Sequence, residues 1–256
     1  GAANVVNNLL SLGQGVTFIT SVSSTRHGDM IRNWCHPNLR VICLERNKEN
    51  LVKSRYWLSR GDSCYKFMQI NQGGPSRLSN TEYKKIISVI EKDKIDLVAL
   101  VDYRGGIFDD PEKVKTVIDI CNERNIKVIS SSQVSGNNSR HEYFSNSSVI
   151  CMNKKEALEN NPSFEVNKLE MHKLFLILNA EICVTLGNEG AAYYNGKSLS
   201  VHPARPVNSI DTCGAGDSFL AALCSTAETM DINFCNEWAA QSTLERGTYV
   251  PTNITN

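Results

Sequence analysis

The residues best suited to chemistry lie between Asp211 and Phe219, in the run Asp-Thr-Cys-Gly-Ala-Gly-Asp-Ser-Phe. Its glycines allow a tight turn, and free amides at the start of the apolar helical run Phe219–Ala227 would attract a phosphate. Asp217 follows this turn directly, where a carboxylate is suited to taking the proton of a hydroxyl that attacks the phosphate. Alternatively, Asp217 only caps the helix, as aspartate often does. These residues alone favour neither interpretation.

Two weaker patterns lie upstream. In Val184–Gly190 a strand is followed by a glycine-spaced turn along which a nucleotide could lie, although such glycines also punctuate ordinary hairpins. Asn153 and Glu156 place an amide oxygen and a carboxylate within one turn, a donor set that suits Mg2+ held through water. Taken alone, this pair is better explained as a helix start, with Asn153 as the cap and Glu156 completing a box-like arrangement.

The elements that must position these residues alternate between strand and helix. Helical spacing marks Thr81–Ile90, Pro111–Cys121 and Val166–Leu178. This alternation predicts a mostly parallel sheet with helices on both faces, in which ligands gather at the carboxyl ends of the strands. The predicted strands are Val16–Thr20, Arg40–Leu44, Leu97–Val101, Ile126–Ser130, Val149–Met152 and Ile182–Leu186.

One region departs from the alternation. Lys53–Ser59 and Cys64–Asn71 are typical of two strands joined by the turn Arg60–Ser63, with no helix between them. Such a hairpin at a sheet edge could act as a flap that covers a substrate or contacts another subunit. An ordinary edge hairpin explains the pattern equally well.

Length and composition limit the classes of function. With 256 residues, 41% of them hydrophobic, the chain is expected to fold as one large domain, with at most a small appendage. Lys plus Arg and Asp plus Glu both total 27, so we expect no nucleic-acid partner. We expect no membrane span, since no run approaches the roughly 20 apolar residues required. Nine cysteines without a CxxC pair favour reduced thiols in a cytoplasm, and we expect no structural zinc site.

Taken together, the motifs resemble those of the ribokinase-like (PfkB) sugar kinase family. Asp211–Asp217 resembles the D-T-x-G-A-G-D signature, and Gly1–Asn4 resembles the end of the glycine-rich motif G-G-A-A-N. Val184–Gly190 resembles the nucleotide loop V-T-x-G-x-x-G, while Asn153 and Glu156 match the N-x-x-E element. The motifs occur in the family's order along essentially the whole chain. The resemblance implies a three-layer, doubly wound α/β fold with a mostly parallel sheet, and a small β-hairpin lid at residues 53–71.

The resemblance also implies an ATP-dependent carbohydrate kinase that uses Mg2+. Asp217 would act as the catalytic base, with the amides of Gly214, Ala215 and Gly216 stabilising the transferring group. Glu156 would hold Mg2+ through water, and Asp211 would help to hold a monovalent cation. Trp238 would lie near the adenine, although core packing is the favoured role for this tryptophan. The nucleotide site would comprise Asn153, Glu156, Thr185, Gly187, Gly190 and Trp238, and the sugar site Gly1, Ala2, Asn4, Asp102 and Arg104.

Within the family, the chain is similar to the kinases of D-glycero-D-manno-heptose 7-phosphate, which form the 1,7-bisphosphate. Val101–Gly106 resembles their S-D-Y-x-K-G segment, Ser54–Arg60 resembles their K-x-R-x-x-S-R strand, and Arg104 is a cation suited to a sugar phosphate. The chain departs from them at Ser131–Gln133, where they carry Asp-Pro-Lys. Two alternatives stay open: a kinase of another sugar or of a nucleoside, and a catalytically silent module that binds sugar phosphate or nucleotide.

The sequence starts within the glycine-rich motif, at Gly1. In the family, the residues before this motif supply the first strand and part of the sugar site. We therefore expect the first strand to be missing from this form, and sugar binding or activity to be weak. By analogy with the family, the flap would suit a homodimer.

Overall fold

The computed structural model describes residues 1–60, 63–133 and 138–252. Gly61 and Asp62, the centre of the predicted hairpin turn, lie outside the described residues. The strands are β1 Val16–Val22, β2 Leu39–Glu45, β3 Val52–Arg60, β4 Ser63–Gln72, β5 Leu97–Asp102, β6 Lys127–Ser132, β7 Val149–Asn153, β8 Glu181–Thr185, β9 Ala191–Tyr194 and β10 Leu199–His202. The helices are α1 Ala2–Ser11, α2 Arg26–Arg32, α3 Asn80–Lys92, α4 Pro111–Glu123, α5 Lys154–Asn160, α6 Lys168–Leu178, α7 Ala215–Ser225 and α8 Ile232–Gln241.

The largest sheet has six strands in the order β10-β9-β8-β7-β6-β5. Its strands β5 to β8 are parallel, whereas β9 and β10 turn back as antiparallel neighbours. The prediction of a mostly parallel α/β sheet is therefore confirmed. Each of the six strands predicted from the sequence is present, four of them in this sheet (β5 to β8) and two in a separate pair (β1 and β2). The antiparallel edge arises because only a short turn connects β8 to β9, too short for the crossover that parallel strands need.

Helices cover both faces of this sheet. Along β7, Ile150 and Met152 belong to the core cluster that contains buried residues of α4 and α6. The alternate residues Val149 and Cys151 belong to a second cluster with α7 and α8. Because successive side chains of a strand point to opposite faces, this alternation shows a sheet buried on both sides. The core thus has three layers.

Side chains at the helix starts explain where several helices begin. Ser79, Asp110 and Asn167 each accept a hydrogen bond from a backbone amide three residues on, at the starts of α3, α4 and α6. Such caps satisfy amides that have no partner within the helix. Pro111 occupies the first turn of α4, as predicted, where its missing N–H carries no penalty.

Strands β1 and β2 form a separate parallel pair, and β3 and β4 form an antiparallel hairpin. A cavity of about 370 Å³ is lined by residues of both β1 and β5, together with apolar side chains of α1, α3 and α4. The predicted hairpin is present, with an irregular register between Tyr56 and Trp57. Within the described residues, the helices are too short or too polar to cross a bilayer.

Candidate active site

Asp217 lies in the first turn of α7 and its side chain is buried. The residue that caps the helix is Gly214, whose φ of 96° is a left-handed conformation that favours glycine. The alternative in which Asp217 is the cap is therefore wrong. A Cβ atom at Gly214 would lie 2.8 Å from Nδ2 of Asn4, so the turn and α1 approach each other closely here.

Three donors surround the Asp217 carboxylate. Its Oδ2 accepts hydrogen bonds from the Gly1 nitrogen at 2.5 Å and from Nδ2 of Asn4 at 3.0 Å. Its Oδ1 accepts a hydrogen bond from the Tyr103 hydroxyl, which lies 114 positions away in the sequence. The first and last predicted motifs of the chain thus meet at one carboxylate. Tyr103 was not among the site residues predicted from the sequence, although it lies in the segment 101–106 that carries the resemblance to heptose kinases.

The glycine turn leaves backbone donors at the start of α7. The Ala215 amide donates to the Thr212 carbonyl at 3.2 Å. Within the described part of the chain, the amides of Gly214, Gly216 and Asp217 have no acceptor. These three amides are therefore the ones able to bind an anion here, with the positive end of the helix dipole favouring it.

Asp211 connects the glycine turn before α7 to the loop that contains Gly247. Its Oδ1 accepts from the Cys213 amide and its Oδ2 from the Gly247 amide, both at 2.9 Å. Each of its oxygens keeps a second lone pair. A cation at Asp211 thus stays a prediction, and the carboxylate also has a structural role in the turn.

Asp102 is the last residue of β5, and Arg104 lies two positions after it. Oδ1 of Asp102 accepts from the Arg104 amide at 2.7 Å, and its Oδ2 accepts from Oγ of Ser132 at 2.9 Å. The Arg104 guanidinium donates to the carbonyls of Gln133 at 2.6 Å and Asn138 at 2.5 Å. Burial, followed by the nearby Arg140, lowers the pKa of Arg104. This cation binds two loop carbonyls, and its contact with a sugar phosphate stays a prediction.

Asn153 and Glu156 form a capping box at the start of α5, as the helix-start interpretation predicted. Oδ1 of Asn153 accepts from the Glu156 amide at 2.9 Å, and Oε2 of Glu156 accepts from the Asn153 amide at 2.8 Å. The helix-start interpretation is thus correct as a description of local structure. Asn153 also pairs in register with Thr185, which places the N-x-x-E element beside the predicted nucleotide loop at neighbouring strand ends.

The predicted nucleotide loop is a short turn from β8 to β9. The Leu186 amide donates to the Gly190 carbonyl at 2.8 Å, which closes the turn that contains Gly187. Gly190 has a φ of 98°, and a Cβ atom there would lie 2.0 Å from the His202 carbonyl oxygen. Glycine is therefore required at this position whether or not a nucleotide binds.

Trp238 lies in the core beside α7. Its side chain is buried, its ring stacks on Phe234 with centroids 6.0 Å apart, and its indole N–H donates to Oδ1 of Asn8 at 2.8 Å. These contacts agree with the favoured core-packing role. A contact between Trp238 and adenine stays a prediction.

The structure therefore gathers part of the predicted site directly. Gly1 and Asn4 contact Asp217, whereas Ala2 begins α1 and lines the cavity next to β1. Asp102 and Arg104 flank Tyr103 in the chain, but their side chains bond to Ser132 and to the carbonyls of Gln133 and Asn138. Among the predicted nucleotide residues, Asn153 and Thr185 end β7 and β8, Glu156 lies in the first turn of α5, and Gly187 and Gly190 lie in the turn after β8. Trp238 lies apart from them, on α8.

Comparison with known families matches residues 1–252 to the pfkB family carbohydrate kinases. The chain belongs to this family. The predicted family and the predicted enzyme class, an ATP-dependent carbohydrate kinase, are thereby confirmed. Solved structures show the same ribokinase-like fold: phosphofructokinase-2 from Escherichia coli in complex with potassium aligns with a TM-score of 0.78 and 19% identity, over 97% of this chain and 82% of that chain. Ribokinase from Arabidopsis thaliana, complexed with ribose and ATP, aligns with a TM-score of 0.70 and 16% identity, over 97% and 81%.

Curated relatives carry the name bifunctional protein HldE. The protein from Campylobacter curvus is 29% identical over 232 residues, which are 87% of this chain and 47% of the relative. The protein from Aliarcobacter butzleri is 25% identical over 261 residues, or 98% of this chain and 52% of the relative. The chain thus spans about half the length of the curated relatives it matches.

Proposed function

We propose that this PfkB carbohydrate kinase transfers the γ-phosphoryl group of ATP to D-glycero-D-manno-heptose 7-phosphate, giving the 1,7-bisphosphate. The observation that carries the transfer chemistry is the buried Asp217 carboxylate beside the amides of Gly214 and Gly216, which have no acceptor among the described residues. The choice of heptose 7-phosphate as the substrate is supported by two observations. The segment 101–106 resembles that of the heptose 7-phosphate kinases, and the curated relatives carry the name HldE. Gly1, Ala2, Asn4, Asp102 and Arg104 are the residues we assign to the sugar.

In this proposal Asp217 takes the proton of the attacking sugar hydroxyl. The amides of Gly214 and Gly216 then donate to the oxygens of the transferring group, where negative charge is concentrated. Because these donors are fixed by the turn before the substrate arrives, little reorganisation is needed at the moment of transfer. The Ala215 amide, already bonded to Thr212, has to share its hydrogen if it contributes.

The residues at the end of β7 fit a magnesium ion. Asn153 offers an amide oxygen and Glu156 a carboxylate, and oxygen ligands of this kind are those that Mg2+ prefers. We assign Glu156 to this ion through water, and Thr185, Gly187 and Gly190 to the nucleoside of ATP. When bound, the metal neutralises charge on the phosphates. Asp211 is the residue we assign to a monovalent cation, by analogy with the potassium complex of the Escherichia coli enzyme.

The test is ADP release from Mg-ATP with heptose 7-phosphate, other sugars and nucleosides as acceptors. We expect turnover with heptose 7-phosphate that exceeds turnover with the other acceptors. Faster turnover with a different acceptor would support the kinase chemistry but refute heptose 7-phosphate as the substrate. ATP binding without ADP release for any acceptor would favour the non-catalytic binding module instead.

We also propose that the hairpin of β3 and β4 mediates a homodimer. A two-stranded hairpin is marginally stable alone, and this one pairs with no other described strand. Its apolar side chains lie exposed, which is typical of a surface that packs against a partner. A second copy of the same hairpin offers a matching apolar face. The exposed apolar side chains are Tyr56, Trp57, Leu58, Tyr65, Phe67, Met68 and Ile70.

Phe67→Asp is expected to convert the dimer to a monomer, because a charge in an apolar interface loses its hydration without gaining a partner. Light scattering across a concentration series measures the mass. The matched control is Leu169→Asp on α6: Leu169 is 64% exposed and Phe67 is 62% exposed, so both changes put a carboxylate on an exposed apolar site. A monomeric unmodified chain, or a dimer that persists in Phe67→Asp, contradicts the proposal.

A further inference from the structure

Tyr103 is a partly buried phenol that the proposed reaction does not yet use. It follows β5 directly, and its hydroxyl donates to Oδ1 of Asp217. Burial, followed by the negative charge of Asp217, raises the pKa of the Tyr103 hydroxyl well above its ordinary value. The phenol therefore keeps its proton at neutral pH and serves as a hydrogen-bond donor rather than as a competing base.

The hydrogen bonds around Asp217 distinguish its two oxygens. An ionised carboxylate has about four lone-pair sites, two on each oxygen. Both sites of Oδ2 are used, by the Gly1 nitrogen at 2.5 Å and by Asn4 at 3.0 Å. Oδ1 accepts only from Tyr103 among the described residues. A hydroxyl that approaches Asp217 therefore finds its acceptor site on Oδ1, next to the phenol.

We propose that Tyr103 is a positioning residue that holds the Asp217 carboxylate so that Oδ1 faces the attacking hydroxyl. This inference rests on the proposed phosphoryl transfer. In that step the acceptor O–H bond breaks and its proton moves to Oδ1. The acceptor oxygen bonds to the γ-phosphorus, and the bond from that phosphorus to the bridging oxygen breaks, its electron pair leaving with ADP. Tyr103 keeps its own proton throughout.

A residue of the hairpin also contacts this phenol. Nζ of Lys53, in β3, lies 6.0 Å from the centroid of the Tyr103 ring. An ammonium at this distance is attracted to the face of an aromatic ring. Tyr103 thus lies between the hairpin and the proposed base, with its ring contacting one and its hydroxyl the other.

The experiment compares Tyr103→Phe with the unmodified chain. It measures ADP release at saturating ATP, with heptose 7-phosphate as the acceptor. The substitution keeps the ring and removes only the hydroxyl, so we expect kcat to fall about ten- to a hundredfold while KM for ATP changes less than about twofold. Tyr194→Phe is the matched control. Tyr194 is a buried tyrosine, and its hydroxyl bonds to His172 and Gly196, away from Asp217. We expect this control to keep its kcat.

A double-mutant cycle separates positioning from a general effect on the fold. If Tyr103 acts through Asp217, Tyr103→Phe produces no further loss in chains that already carry Asp217→Asn. An equal loss in both backgrounds, or an unchanged kcat in Tyr103→Phe, would overturn the inference. If the unmodified chain shows no ADP release that depends on Asp217, the proposed function fails instead. The two failures are therefore distinguishable.

Discussion

Asp217→Asn is expected to lower kcat for ADP release about a thousandfold, a larger loss than we expect for Tyr103→Phe or Gly214→Ala. An amide has nearly the same shape as a carboxylate but cannot take the proton of the attacking hydroxyl. It also offers only one acceptor oxygen, whereas the carboxylate now accepts from Gly1, Asn4 and Tyr103. Steady-state kinetics with a range of acceptors measures the loss, and calorimetric titration with ATP shows whether the nucleotide still binds.

The control for this substitution is Asp29→Asn. Asp29 is an exposed carboxylate on α2 that pairs with Arg32 at 2.9 Å, and exposed pairs of this kind contribute little to stability. We expect its kcat to match that of the unmodified chain. Unmodified rates in Asp217→Asn, with the protein folded and binding ATP, would refute the role of Asp217 as the base and leave the anion-binding amides without a catalytic partner.

The sequence predicted those parts of the fold that depend on local patterns. Short apolar runs predicted β5 and β7 because a strand buried on both faces needs apolar residues at consecutive positions. The start of α4 was predictable from a different local feature, because the fixed φ of Pro111 suits the first turn of a helix. Elements whose limits are set by nearby residues are the ones that a single sequence can predict.

The contact between Tyr103 and Asp217 could not be predicted in this way. The two residues are separated by 114 positions, and a tyrosine after a strand carries no local signal for its partner. Arg104 illustrates the same limit: its charge suggested a phosphate ligand, but the carbonyls it binds come from a loop after β6. Asn153 and Glu156 show the opposite difficulty, because one local pattern specifies both a helix start and a possible metal site.

Gly214→Ala is expected to reduce both stability and turnover. At a φ of 96° an alanine is strained, and its Cβ would lie 2.8 Å from Nδ2 of Asn4. Strain of this kind lowers the free energy of unfolding by about 1–3 kcal/mol. Relief of the clash requires Asn4 to move, and this movement breaks its hydrogen bond to Oδ2 of Asp217. We therefore expect kcat to fall at least about tenfold in the molecules that remain folded.

The control Gly13→Ala separates strain from displacement of Asn4. Gly13 has a φ of 77°, so alanine is strained there as well, but its Cβ would meet no atom within 4 Å. Urea unfolding should show a loss of stability for both variants, whereas kcat should fall only for Gly214→Ala. An equal fall in both would mean that turnover follows overall stability. Full activity in a destabilised Gly214→Ala would mean that the contact between Asn4 and Asp217 is not needed for the transfer, because the clash disturbs that contact and the control leaves it intact.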